Sequence, residues 1–250
     1  MGAYQLFVFL MRHSHKEFFV KNNKTEFDSI AKKYNEEIVE NLGSFGKFRD
    51  AMLFYKSQYL EYLLPETPKA ILDYGCGIGM NIPYLGEYFP NTELFGCDIS
   101  KESISLAREN VQGCTFDTIE TVEDLNIYKN KIDCVFISTV LHHIPFEEHE
   151  KWINGLYDIL IKGGHMIIFE HNMKNPLVKK FVEKIPMDKN ATMLDAKYSK
   201  NIIKKIFGGE SYVKLGYTYF FPWRNKICIW IEHKLVWLPL GAQYYVIARK

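Results

Sequence analysis

The sequence predicts an α/β fold, a parallel sheet with helices wound over both faces, and three observations predict it. Short apolar runs of strand length alternate with helical stretches from residue 70 to residue 170. The first run, Ala70-Ile71-Leu72, leads into a loop with glycine at alternate positions, Gly75, Gly77 and Gly79, and a helix follows. The second run closes on a carboxylate, Asp98, 19 residues after Gly79. A strand–helix–strand unit places at that distance an acid that accepts hydrogen bonds from ribose hydroxyls.

Composition narrows the classes. A chain of 250 residues, 47% apolar and 24% charged, is long enough for one large core and describes a globular protein. A formal charge of +1 offers no basic face for nucleic acid. The five cysteines form no C-x-x-C pair, which predicts free thiols in a reducing, cytoplasmic setting. Ala3 to Met11 is too short to span a bilayer and lacks a basic stretch ahead of it, so neither an anchor nor a secretory signal is expected. Leu6 stands where a myristoylation signal needs Ser or Thr.

In chain order, the spacing of Phe27, Ile30, Ala31, Tyr34 and Ile38 predicts a helix over Thr25 to Leu42, and a second helix runs from Phe48 to Leu64 and stops at Pro65. After the first strand and the glycine loop, a helix packs through Ile82 and Leu85. Leu94 to Asp98 is the second strand, Ser100 caps a helix over Lys101 to Asn110, and Val111 to Phe116 is the third strand. Ile132 to Ser138 is the fourth. A helix over Trp152 to Leu160, a turn at Lys162-Gly163-Gly164 and a fifth strand over His165 to Glu170 follow. Beyond them come a helix over Ser199 to Phe207 stopped by Gly208-Gly209, a strand over Tyr212 to Phe220, an aromatic segment from Trp223 to Leu238 and a last strand over Gln243 to Ala248.

Glycine at alternate positions lets the backbone turn sharply and lie against a ligand, and the loop amides face that ligand. A dinucleotide loop requires G-x-G-x-x-G, and here Met80 breaks the pattern. Asp73 also disfavours a pyrophosphate and suits a cofactor that carries an amino group and a sulfonium. Asp73-x-Gly75-x-Gly77-x-Gly79 resembles motif I of the class I S-adenosylmethionine-dependent methyltransferases. Phe27-Asp28-Ser29-Ile30-Ala31-Lys32-Lys33-Tyr34-Asn35 resembles the cap helix ahead of the core in many small-molecule members. Val140-Leu141-His142-His143-Ile144 resembles the segment after strand four in the ubiquinone/menaquinone-type enzymes, and Leu160 to Gly164 matches a further L-x-x-G-G marker. These matches run in order from Thr25 to Glu170.

The resemblance implies a Rossmann-like, doubly wound sheet of seven strands with an antiparallel last strand. It implies a helical cap over 1–64 and a methyltransferase domain over 65–250. Insertions at about 172–198 and 221–240 are expected to form a substrate lid. It implies S-adenosyl-L-methionine as cofactor, held by Tyr34, Asp73, Gly75, Cys76, Gly77, Gly79, Asp98, Ile99 and Ser138, with Thr118 and Ile119 lining the adenine pocket.

Methyl transfer from a sulfonium is an in-line displacement in which the protein supplies alignment and a dry pocket. A small-molecule acceptor is expected, with oxygen the favoured atom, and its proton needs a base. His143 is the favoured base and His142 a cofactor-side or packing residue, with Glu170 and His171 on the adjacent strand end. Ser138 and Thr139 stand where a metal-binding carboxylate would be, so no metal is expected. A lipid or quinone acceptor at a membrane surface stays compatible with the aromatic segment, whose polar positions are Arg224, Lys226, His233 and Lys234. Rival classes are an NAD-type oxidoreductase, disfavoured by Met80 and Asp73, and a non-catalytic cofactor-binding subunit. Oligomeric state leaves no signature in the sequence.

Overall fold

The computed structural model describes residues 43–182, 191–209, 212–221 and 226–250. The expected cap helix over Thr25 to Leu42, Tyr34 with it, and the run Ala3 to Met11 lie outside these residues.

Seven strands form one sheet in the order β3-β2-β1-β4-β5-β7-β6. They are β1 (Ala70–Tyr74), β2 (Glu93–Asp98), β3 (Cys114–Thr118), β4 (Ile132–Ser138), β5 (Leu160–His171), β6 (Val213–Thr218) and β7 (Gln243–Arg249). The first five run parallel, and β7 is antiparallel to both neighbours. All five residues of β1 are buried, as expected of a central parallel strand covered on both faces. Successive strand residues alternate between two cores. On one side α1 (Gly43–Leu63), α2 (Ile82–Tyr88) and α3 (Lys101–Asn110) pack Tyr59, Leu60, Ile82, Leu85 and Ile104 against Ile71, Phe136 and Phe169. On the other, α4 (Phe146–Ile159) and, after the short α5 (Pro176–Val182), α6 (Ala196–Phe207) pack Ile153, Leu156 and Ile203 against Leu72, Val135 and Ile168. A last helix, α7 (Lys226–Leu235), sits inside the aromatic segment.

Several boundaries differ from expectation, each for a local reason. Val111 does not open β3 but closes α3, its amide donating to the Ala107 carbonyl. The chain then turns at Gly113 (φ +75°), so the strand starts at Cys114. Helix α4 begins at Phe146, directly after Pro145, because Glu147 and Glu148 suit a helix N-terminus although their run shows no apolar period. Lys162-Gly163-Gly164 is not a turn before β5 but an irregularity inside it, opposite the register shift between Ile132 and Cys134. Helix α6 starts at Ala196, where the Asp195 side chain accepts from the Lys197 amide, and it ends at Gly208 in the left-handed region.

The winding reverses at β1, which has β2 on one side and β4 on the other. A crevice therefore opens at the carboxyl ends of β1 and β4, where such sheets bind ligands.

Candidate cofactor and active site

The loop leaving β1 is fixed from behind. The amides of Gly75 and Cys76 both donate to the Cys97 carbonyl, at 2.8 and 3.0 Å. The three glycines then differ in what surrounds them. Gly75 (φ +72°) lies against the segment after β4, and a Cβ there would come within 2.5 Å of Val140 Cγ2. Gly79 (φ +80°) would meet Phe116 at 3.0 Å. At Gly77 (φ +53°) a Cβ would meet nothing within 4 Å, so this residue faces open space. Cys76 is buried, and burial holds its thiol well above the ordinary range, so it serves packing rather than nucleophilic chemistry.

Asp98 ends β2 half-buried and ties the loops together: Oδ2 accepts from the Gly77 amide and Oδ1 from the Ser100 amide, both at 2.9 Å. Ser100 caps α3, accepting from the Ser103 amide. Ile99 and Thr118 are half-buried beside Asp98, while Ile119 is buried in the core and donates its amide to the Asp98 carbonyl.

Asp73 lies fully buried at the end of β1. Its Oδ2 accepts from Asn81 Nδ2 at 3.1 Å, whereas Asp73 Oδ1 and Asn81 Oδ1 are buried without any donor. Burial pushes the Asp73 carboxyl up to about 7. A buried charge near this end of the sheet that the sequence did not reveal is Lys56, on α1 and 3% exposed. Its ammonium donates to Ser138 Oγ at 2.6 Å. Burial brings it down to about 8, against the pull of the Glu170 and Asp73 carboxylates. A signal existed: Met52, Tyr55, Tyr59, Leu60 and Leu63 mark the inward face of α1, and Lys56 falls on that face.

At the end of β5, Glu170 is not a strand-end carboxylate held out to solvent. It is buried, with Oε1 accepting from the amides of Val140 (3.1 Å) and Leu141 (2.9 Å) and Oε2 pairing with His142 Nδ1 at 2.6 Å. Burial alone would raise this carboxyl, but the imidazoles of His142 and His171 and the Leu141 amide outweigh it and hold it below the usual range. His142 is buried, and its ring centroid lies 4.1 Å from that of half-buried His143 and 5.8 Å from that of His171. The chain reaches this arrangement through Thr139, at φ +57°, a strained conformation for a β-branched residue. The Thr192 amide donates to the His142 carbonyl and so brings the expected lid insertion to the same loop. His149 plays a different part: its Nε2 lies 2.9 and 2.8 Å from the carbonyls of Leu141 and Ile144, and its Nδ1 2.8 Å from the Tyr198 hydroxyl. Among the described residues no group of three or more His, Cys, Asp or Glu could hold a metal ion.

The second expected lid element, α7, docks through a polar and aromatic face. Glu232 is buried and accepts from the amides of Phe220 (2.8 Å) and Phe221 (3.1 Å), and His233 stacks on Tyr62 with ring centroids 3.6 Å apart.

The crevice thus combines a glycine backed by empty space, the half-buried Asp98 carboxylate at the end of β2, two buried acceptors without donors, and a buried ammonium. That set fits a ligand with a sugar at one end and a zwitterionic amino acid at the other.

Residues 71–164 match the family described as Methyltransferase domain. The tRNA N(3)-methylcytidine methyltransferase trm141 of Schizosaccharomyces pombe is 24% identical over 158 residues, which cover 58% of this chain and 64% of that protein. The demethylmenaquinone methyltransferase of Bacteroides fragilis is 26% identical over 149 residues, 58% of each chain. The chain therefore spans less than two thirds of the length of these curated relatives. Among solved structures, the plantazolicin methyltransferase BpumL, in complex with a pentazolic desmethylPZN analog and SAH, superposes with a TM-score of 0.60. That match covers 92% of this chain and 98% of the other at 17% identity, a likeness of fold.

Proposed function

We propose that the chain is a class I S-adenosylmethionine-dependent methyltransferase, that it methylates a small-molecule acceptor at oxygen and that the Glu170–His142 pair takes the acceptor's proton. The 2.6 Å contact between His142 Nδ1 and Glu170 Oε2 carries this reading. An ionised Glu170 keeps a proton on Nδ1 and so makes Nε2 the basic nitrogen of the ring. The sequence favoured His143 as base; the geometry supports its neighbour, whose ring is oriented by a buried carboxylate. The near-neutral formal charge of +1 favours a small acceptor over RNA, although one relative is named for tRNA.

When bound, the cofactor supplies a methyl group activated on a sulfonium. The residues proposed to hold it are Asp98 at the ribose, Ile99, Thr118 and Ile119 at the adenine, and the Gly77 backbone alongside. Lys56 is proposed at the carboxylate of the amino-acid end, which serves as an acceptor for its buried ammonium beside Ser138 Oγ. The buried α1 side chains exclude water from that end, where an ion pair is stronger for being dry.

The test compares His142→Ala and His143→Ala on a panel of small-molecule hydroxyl acceptors, with S-adenosylhomocysteine affinity followed by calorimetry. Loss of a general base lowers kcat by about 10²–10⁴-fold. That loss is expected for His142→Ala with cofactor affinity kept within about twofold, and a smaller loss for His143→Ala. Full turnover in His142→Ala would remove this residue from the chemistry.

A further inference from the structure

Helix α7 turns part of its apolar surface outward. Among the described residues nine large apolar side chains are exposed, and five belong to one region: Leu177 (76%), Ile227 (71%), Trp230 (64%), Trp237 (72%) and Leu240 (56%). Ile227, Trp230 and Lys234 follow the spacing of a single helical stripe, Trp237 lies in the turn just beyond the helix, and all four are exposed. The sheltered positions carry Glu232, held by two backbone amides, and His233, stacked on Tyr62, together with half-buried Ile229, Ile231 and Leu235. Leu177 joins the same surface through Asn175, whose Nδ2 donates to the Leu240 carbonyl at 2.7 Å while its Oδ1 accepts from the Leu177 amide at 3.0 Å.

Among the described residues of α5 and α7 the exposed charged side chains are positive. Lys179 and Lys180 on α5 and Lys234 on α7 are exposed, and Lys234 Nζ lies 5.9 Å from the Trp230 ring centroid. Helix α5 has no acidic residue, and the only one on α7 is the buried Glu232. Lys174 nearby is already paired to Asp195 at 3.3 Å.

We propose that this surface docks on an anionic phospholipid bilayer, with the tryptophans and leucines at the depth of the headgroups and the three lysines on the lipid phosphates. Tryptophan with lysine at the rim is the composition that settles at a lipid–water boundary. No helix of the described chain is long and apolar enough to cross a membrane, so the contact lies in the plane of the interface. A second copy fits less well, because a two-fold contact through this patch would set lysines against lysines. Asn172, two residues beyond Glu170, donates through Nδ2 to the carbonyls of Pro239 (3.1 Å) and Gly241 (2.8 Å). The docking surface is therefore tied to the acceptor edge of the sheet, where a lipid-dissolved acceptor would arrive.

The test is co-sedimentation of the full chain with vesicles of phosphatidylcholine alone or with a quarter phosphatidylglycerol. Binding to the anionic vesicles, weakened by salt, is expected. The double substitution Trp230→Ser/Trp237→Ser should reduce it by about tenfold or more. Lys179→Glu/Lys180→Glu should cost about fivefold per lysine on anionic vesicles. Melting temperature and S-adenosylhomocysteine affinity should stay unchanged in both variants, which separates this proposal from the catalytic one. Three results would overturn it: no binding to anionic vesicles, binding indifferent to the tryptophans, or a dimer in light scattering that the tryptophan substitutions dissociate.

Discussion

Adding one methyl group at Gly77 and one at Gly75 separates a cofactor cradle from a mere strand-to-helix turn. Both residues have positive φ, +53° and +72°, so alanine costs about 1–2 kcal/mol at either for backbone strain. At Gly75 the new Cβ would also lie 2.5 Å from Val140 Cγ2, and overpacking of that kind adds about 1–3 kcal/mol. At Gly77 nothing lies within 4 Å, so no packing cost accrues in the free protein. Gly77→Ala should therefore lower the melting temperature by about 2–8 °C and Gly75→Ala by roughly twice that. With cofactor the order changes. The Gly77 methyl occupies the space assigned to the ligand, and a clash of about 1–3 kcal/mol weakens S-adenosylhomocysteine about 5- to 150-fold. Differential scanning and isothermal calorimetry on the same samples read both quantities, with Gly75→Ala as the folding control. A Gly77→Ala protein that melts as expected and binds S-adenosylhomocysteine like the wild type would refute the reasoning.

Two further predictions concern the buried charges. Lys56→Met should weaken S-adenosylhomocysteine by about tenfold or more, the worth of a charged hydrogen bond, yet leave 5′-methylthioadenosine, which lacks the amino-acid end, within about twofold. Equal losses for both would take Lys56 off the carboxylate. Asp73 has its carboxyl raised by burial to about 7, so its contribution to stability is complete below about pH 4 and is lost as pH rises through about 7. Asp73→Asn should remove that slope: its stability relative to wild type should rise by about 1 kcal/mol or more between about pH 5 and pH 8 in denaturant titrations. A difference that stays flat with pH contradicts the burial argument.

The sheet was largely legible because its strands are short apolar runs bounded by strong punctuation. The bounds of β4 and α3 coincide with their sequence signals, and Ser100 caps α3 as its position suggested. The errors fall where two local signals compete. Val111 is apolar enough for a strand but is claimed by the helix before it, and Gly163-Gly164 reads as a turn although β5 continues through it. The turn of the backbone after β1, with Gly75, Gly77 and Gly79 at positive φ, was visible as glycine spacing. Contacts created by long-range packing were not. The roles of Glu170 and His142 depend on how Thr139 turns the chain at φ +57°, which a β-branched residue gives no reason to expect. Lys56 looked like an ordinary helix lysine until its helix face was known. The aromatic segment revealed a stripe but not its direction, and the structure turns Ile227, Trp230 and Trp237 outward.

The central claim places an adenosyl group against the Gly77 backbone and the neighbouring carboxylate of Asp98, which accepts amides from Gly77 and Ser100. Calorimetric titration of S-adenosylhomocysteine into Asp98→Ala, with a thermal melt confirming that the variant is folded, tests it most directly. The expected result is no measurable binding; tight binding retained by the folded variant would contradict it.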